Sequence, residues 1–550
     1  MERRTGWASL LKRDAAFIGA IAAPAVFFFW VVALVALNIP IGDDFDTILG
    51  FLNRFLSAGG LIDKAGLLFE QHNEHRLVFS RLVALIQYYL FGEADLRGLI
   101  IFGNLSLAGL FVTLALIYRQ RLGRVLYLLP ASLIIFNFEY YETVNWAMAS
   151  VSNLYVLFFA LLSLYLLLAR SSAASFAGAI LCYAAAAFTQ GGGLFVGLAG
   201  IVMLAIGRQF NKAALWSLVT VALFSIYFYG YHTPAGHPSV LSVISADPSL
   251  PIRFFFSFLG SPLPMPEVFG IFSFGFFIYL TLKGYCAENR GVYTFLLFLF
   301  ITAAVTALTR SGFGLDQSLA SRYKVVASLI FAIHYLVAVE IMKAGSAKRI
   351  FVALAIAGSL VFNINAYLSN RAELAMQKEV LTYGYLQWQE NGRGLIYPFE
   401  DKAGAILARS EELRTYAATP DKGIVSANRV EMKPGAEDGS IRFEIDSAFT
   451  GASAVFIDGW AFAPDVIRPD SARGQTYIVL RSGSREYVFD AIPRKRPDIG
   501  DHFMDRDLDW AGFISYIPVS GLGSGVYSLG LYITDGGKGS FVLTDAEITL

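Results

Sequence analysis

Charge is scarce in this 550-residue sequence: Lys, Arg, Asp and Glu make up 16% of it, against 56% hydrophobic residues. A water-soluble globular chain carries about 25% charged residues, so the composition excludes that class and leaves an integral membrane protein. Cysteine is nearly missing. Cys182 and Cys286 sit on or beside different apolar segments, which excludes a disulfide framework. Histidine is scarce too, and the one dense cluster, His72-Asn73-Glu74-His75, lacks the spacing of a zinc-binding HExxH helix. There is no glycine-rich phosphate loop. Gly191-Gly192-Gly193 reads more simply as a tight turn between two helices. These absences exclude the usual nucleotide-cofactor sites, and no nucleic-acid partner is expected.

Long apolar runs are present instead. Phe17 to Leu37 is uncharged throughout, and its 21 residues reach about 31 Å as a helix, the thickness of a bilayer's hydrocarbon core. A basic stretch with Arg3, Arg4, Lys12 and Arg13 precedes it. The run is too long for a signal peptide and no small-residue cleavage site follows, so an uncleaved anchor is expected. Further apolar segments lie near 98–118, 125–138, 147–169, 175–189, 194–207, 213–231, 265–282, 291–309, 325–342 and 349–367. With the N-terminus inside, the basic loops at Arg119, Arg121 and Arg124, at Arg170, at Arg208 and Lys212, at Lys283 and Arg290, and at Lys343, Lys348 and Arg349 all face the cytoplasm. That alternation requires 77–91 to be a juxtamembrane or re-entrant helix. The segment is about 22 Å long and carries Arg81 near its start.

After Tyr367 the chain turns polar. Residues 368–437 read as a charged, mainly helical region ending in a linker with Pro and Gly. Beyond 438, runs such as SAVFIDGWAF, TYIVLRSG, REYVFDAI, GFISYIPV and GVYSLGLYIT alternate with Gly, Pro, Ser and Asp. About seven strands at this pitch predict a β-sandwich. The expected architecture is a polytopic α-helical membrane protein of about eleven transmembrane helices over 1–367, with a first external loop at 39–97, a helical linker region at 368–437 and an all-β sandwich at 438–550 outside the cytoplasm. Trp460, Trp510 and Tyr527 suit sugar stacking, although aromatics in a small sandwich are commonly core.

Polar residues that are anomalous for a membrane chain fall on one predicted side. IPIGDDFDTILGFLNRF places Asp43, Asp44 and Asp46 just after the first span, where carboxylates suggest function. The same loop ends in FEQHNEHR, with Glu70, His72, Glu74, His75 and Arg76. FEYYETVNW supplies Glu139, Glu142 and Trp146, and TRSGFGLDQSLASRYK supplies Arg310, Asp316, Arg322, Tyr323 and Lys324. Acidic groups suit proton abstraction and basic groups suit a phosphate. The plain alternatives are solvated loops, snorkelling anchors for Arg310 and Arg322, and a helix N-cap for one of the Asp43-Asp44 pair.

A basic N-terminus, one span and then an acidic pair at the start of a large external loop, followed by HRLVFSRLVALIQYYLFGEADLRG and a late external Arg loop, resembles the GT-C superfamily of lipid-linked-sugar glycosyltransferases. The likeness covers about 1–367; HNEHR stands where several members carry a Pro-Pro-Leu stretch. The resemblance implies transfer of a sugar from a polyprenyl-phosphate carrier to an extracytoplasmic glycan or lipid acceptor, with inversion. Asp43 or Asp44 would be the base. Arg310, Arg322, Lys324 and Tyr323 would steady the leaving phosphate, and His72, Glu74, His75, Arg76, Glu139 and Glu142 would shape the pocket or hold a divalent cation. The competing readings are a polysaccharide polymerase, ligase or flippase acting on lipid-linked glycan, and a non-catalytic glycan-binding scaffold. A bacterial inner membrane is the expected setting.

Overall fold

The computed structural model describes residues 7–118, 121–169, 172–234, 236–420, 425–435, 437, 439–463, 475–535 and 538–550. Arg3, Arg4, Arg119 and Arg170, and 421–424, 436 and 438 of the expected linker, lie outside the described residues. The chain divides into two compact units. One comprises residues up to 36, 43–371 and 409–417; the other comprises 37–42, 372–408 and 418–550.

The first unit is helical. All eleven apolar segments form helix, and seven helices are long and apolar enough to cross a membrane: Phe17–Val35, Leu96–Tyr118, Ala147–Leu168, Phe210–Phe228, Arg290–Phe313, Ser321–Ile341 and the start of Ser346–Asn391. Length and composition single out these seven among the described residues, beside further, shorter apolar helices. Val125–Ile135, Ala173–Ala187, Gly191–Ile206 and Pro266–Leu282 have 17 residues or fewer. Val78–Phe91, at 14 residues, is shorter than a crossing. Leu250–Gly260 is a further amphipathic helix absent from the sequence reading. It is short, and a single apolar face gives no long hydrophobic run.

Small residues set the closest packing, as expected where lipid offers no hydrophobic drive for association. A Cβ on Gly103 would stand 2.3 Å from Ser150 Oγ, where Leu96–Tyr118 crosses the π-helical turn Ser150–Leu154. A Cβ on Gly193 would stand 2.1 Å from the Ala186 carbonyl. The Gly191–Leu194 turn therefore needs glycine for close approach of backbone rather than for left-handed dihedrals. The amide nitrogen of buried Asn104 donates to the Ile100 and Val144 carbonyls, each at 2.8 Å.

The second unit is a sandwich of two four-stranded antiparallel sheets. In sequence order its strands are β3 (Arg442–Thr450), β4 (Ala454–Phe462), β5 (Gln475–Ser482), β6 (Arg485–Asp490), β7 (Ile492–Arg494), β8 (Gly512–Pro518), β9 (Val526–Thr534) and β10 (Gly539–Thr549). The sheet orders are β10-β9-β5-β6 and β3-β4-β8-β7. The expected REYVFDAI strand divides at Ala491: β6 pairs with β5 in one sheet and β7 with β8 in the other. Pro493 is tolerated because β7 is an edge strand. One face of β4 joins the sandwich core through Val455, Ile457 and Ala461. The other packs Ala454 and Phe456 against Tyr383 and Leu386 of the helix Ser346–Asn391. Burial on both faces explains why β4 reads as a nearly unbroken apolar run. Tyr527 is core, fully buried with its hydroxyl donating to the Gly523 carbonyl at 2.7 Å. Trp460 stacks on Phe462 and Phe503, and Lys495 lies over Trp510.

Candidate active site

The sequence HNEHR folds as a two-residue hairpin, strands β1 (Gln71–His72) and β2 (His75–Arg76), with Gln71 opposite Arg76 and His72 opposite His75. Asn73 takes the left-handed conformation at the turn (φ 47°), which Asn tolerates better than most residues. Two buried arginines fix the hairpin. Arg81 donates to the carbonyls of Leu67, Leu68 and Glu70, closing the C-terminal end of helix Leu61–Phe69 where a cation is favoured. Arg76 donates to the carbonyls of Tyr227, Phe69 and Tyr229. Arg76, expected to shape the pocket, is thus consumed in holding backbone.

From this hairpin, side chains tie four separate polar segments into a ring. His72 Nε2 lies 3.3 Å from Asp43 Oδ1, joining the hairpin to the start of the first loop. Glu74 pairs with Arg310 and also with His237, Nδ1 to Oε1 at 3.1 Å. Asp44 Oδ1 accepts the Met148 N–H at 2.8 Å. Lys324 Nζ meets Glu139 Oε2 at 3.1 Å, and Ser321 Oγ accepts from Thr143 N and lies 3.1 Å from its hydroxyl. Segments 43–50, 71–76, 137–148 and 310–324 therefore meet, although 236 residues of chain separate Glu74 from Arg310. The ring is flanked by two π-helical turns, Phe45–Gly50 and Ser150–Leu154, of the kind that recur at functional sites.

Within this ring the two leading carboxylates differ. Asp44 is buried, 1% exposed, and its side chain holds the Met148 amide. It makes no side-chain cap to the turn that follows, which corrects the expected N-cap role. The Asp43 carboxyl is about a third exposed, and its neighbour His72 Nε2 is also 3.3 Å from the Asn73 amide nitrogen. With a proton on Nε2, His72 donates to Asp43; without it, Nε2 accepts from Asn73. Tyr323 is buried between Phe254 and Phe258. That is an aromatic packing role for its ring. Glu142 is exposed on the short helix Tyr141–Val144.

The cations also differ. Arg310 and Lys324 have carboxylate partners, whereas Arg322, half-buried, has no carboxylate partner among the described residues and lies against the Tyr323 ring. Its field nevertheless reaches the hairpin. Burial lowers the His75 imidazole to about 4; Glu74 opposes that fall, and Arg310, His72 and Arg322 add to it. His75 is therefore neutral near pH 7, consistent with Nδ1 accepting from the Gly191 N–H at 3.4 Å. Beyond Gly191, Gln190 donates to Asn153 Oδ1 at 2.7 Å.

His237, Gln190 and Asn153 were not among the residues expected from sequence. The stretch Tyr231-His232-Thr233-Pro234, with His237-Pro238 after it, is the local signal for His237: two histidines and two prolines directly after an apolar helix. Gln190 and Asn153 give no local signal, being single amides in apolar surroundings. Among the described residues no three His, Cys, Asp or Glu side chains gather as a metal ion would require.

No protein-family model matches the chain, and no curated protein sequence does. Among solved structures, ArnT from Cupriavidus metallidurans in the apo state is similar at 13% identity and a TM-score of 0.37, over 73% of this chain and 76% of that one. A likeness this loose leaves the architecture to rest on the helices and strands described above.

Proposed function

We propose that this chain is a membrane glycosyltransferase that moves a sugar from a polyprenyl-phosphate carrier to a glycan or lipid acceptor, with Asp43 as the base. The supporting observation is the ring itself: it holds an accessible carboxylate beside a histidine, and a guanidinium without a carboxylate partner among the described residues. Asp43 takes the acceptor hydroxyl's proton as that oxygen attacks the anomeric carbon. The bond to the carrier phosphate breaks with its electron pair, and Arg322 stabilises the charge left on the phosphate. His72 orients the Asp43 carboxylate. Glu74 holds Arg310 in place, so that Arg310 reaches a phosphate only by sharing or exchanging this partner. Attack opposite the leaving group inverts the anomeric centre. The ring lies on the extracytoplasmic side of a bacterial inner membrane in this scheme, and a divalent cation is not required by any of these steps.

Transfer of radiolabel from polyprenyl-phosphate sugars to envelope acceptors tests the proposal in membranes matched for folded protein. Asp43→Asn should abolish transfer while the wild type supports it. Undiminished transfer by Asp43→Asn removes this mechanism, and absence of transfer by the wild type from any carrier-linked sugar returns the weight to a polymerase, flippase or scaffold.

A further inference from the structure

Bordering both strands of the same hairpin runs a groove of about 720 Å³, lined also by Gly66, Phe69, Asn73, Tyr229, His232 and Thr233. Its floor is rigid. The Gln71 side chain donates to the Asn73 and His232 carbonyls, both at 2.6 Å, and accepts from the His232 N–H at 3.0 Å, which clamps the hairpin to the chain following Phe228. The charges that border it are already used: Arg76 donates to three carbonyls, and Glu70 pairs with Arg54 at 2.7 Å. Besides the Glu70 carboxylate, which Arg54 holds, the open space is bordered by the neutral polar groups of Asn73 and Thr233 and by two aromatic rings, Phe69 at 38% exposure and Tyr229 at 84%. Neutral hydrogen-bonding groups beside exposed aromatic rings suit a ligand with an apolar face and many hydroxyls, which is a sugar. They do not suit a phosphate, for which a desolvated cation is wanted.

We infer that this groove binds the acceptor glycan, with Tyr229 as the stacking platform. The inference rests on the transferase reading for the acceptor's role, though the binding itself does not. Asn73 links the two places: it borders the groove, and its amide nitrogen lies 3.3 Å from the His72 Nε2 that contacts Asp43. A glycan lying along the groove therefore brings its end hydroxyl toward the base, while the carrier phosphate belongs at Arg322. Donor and acceptor are sorted by charge, the anionic one to the guanidinium and the neutral one to the aromatic groove.

The test is binding of fluorophore-tagged neutral oligosaccharides, released by mild acid from cell-envelope polysaccharide, to the full chain in lipid nanodiscs, read by anisotropy. Wild type should bind above empty nanodiscs. Tyr229→Ala should weaken binding about tenfold, and Tyr229→Phe, which keeps the ring, should restore most of it. In the transfer assay Tyr229→Ala should raise KM for the acceptor and leave KM for the lipid-linked donor in place. Binding no stronger than to empty nanodiscs, or Tyr229→Ala binding as wild type does, overturns the groove even where transfer is intact. Ring-dependent binding without any transfer supports the groove and removes the transferase reading instead.

Discussion

The helical unit carries two polar clusters, and they are built on opposite rules. Arg322 and Glu340 lie on one helix, Ser321–Ile341, and 18 residues put them about 27 Å apart. At the Glu340 end every group closes on another: Arg121 and the Tyr285 hydroxyl both donate to Glu340, Asn289 donates at 3.3 Å, and Arg121 also reaches the Glu288 carbonyl at 3.1 Å. At the Arg322 end the cluster stops short of closure, leaving a part-exposed carboxylate and a guanidinium that rests on an aromatic ring. Both clusters bury charge at a desolvation cost; among the described residues only one leaves a guanidinium without a carboxylate partner. A closed network is evidence of architecture, and an open one of chemistry.

The sharpest way to break this comparison is to neutralise a carboxylate at each end. Asp43→Asn should lower kcat for transfer by a factor on the order of a hundred to ten thousand with little change in unfolding temperature. Next in size, Arg322→Gln should lower kcat/KM for the lipid-linked donor by about a hundredfold, again without loss of stability, because no carboxylate is orphaned by it. Glu340→Gln should do the reverse: thermal unfolding in detergent should show a loss of about 2 kcal/mol, with transfer per folded molecule near that of wild type. If Arg322→Gln proves the destabilising one and Glu340→Gln the inactivating one, the contrast between the ends is inverted and the site is misplaced.

The sandwich adds a smaller third case. Asp458 is buried with Oδ1 unpartnered, Oδ2 is 3.4 Å from Arg494, and burial raises the carboxyl to about 6 against the pull of Arg494. A carboxyl raised in the folded state takes up protons on folding. Its contribution is therefore fully present at low pH and is lost as pH rises through 6. Protection of the β4 amides from hydrogen exchange in the full chain should improve by about 1 kcal/mol between pH 7 and pH 5, and Asp458→Asn should flatten that dependence. A pH-independent wild type would mean the network closes as the Glu340 one does.

How far the sequence was legible follows from range. The apolar segments and the strand runs are local patterns, so helices formed at all eleven segments and strands at every run; the differences were the added helix Leu250–Gly260 and one sheet change at Ala491. The motifs DDFD, HNEHR and the late Arg loop stood out because charge is rare around them. Their roles did not. That Arg76 and Arg81 serve carbonyls, that Tyr323 is packed between two phenylalanines, and that Asp44 holds an amide 104 residues away depends on neighbours no local pattern names.

Composition and periodicity by themselves determined that this is a polytopic membrane chain with a strand-rich C-terminal unit, because burying a backbone in lipid or in a sandwich imposes repeats that survive in any sequence able to do it. Tertiary structure alone decided which charges answer one another. Glu74 could equally have met solvent, and the pairing with Arg310 and His237 exists because the fold brings the turn of the hairpin, one helix end and a connecting segment within about 3 Å, a distance over which a carboxylate discriminates sharply between partners.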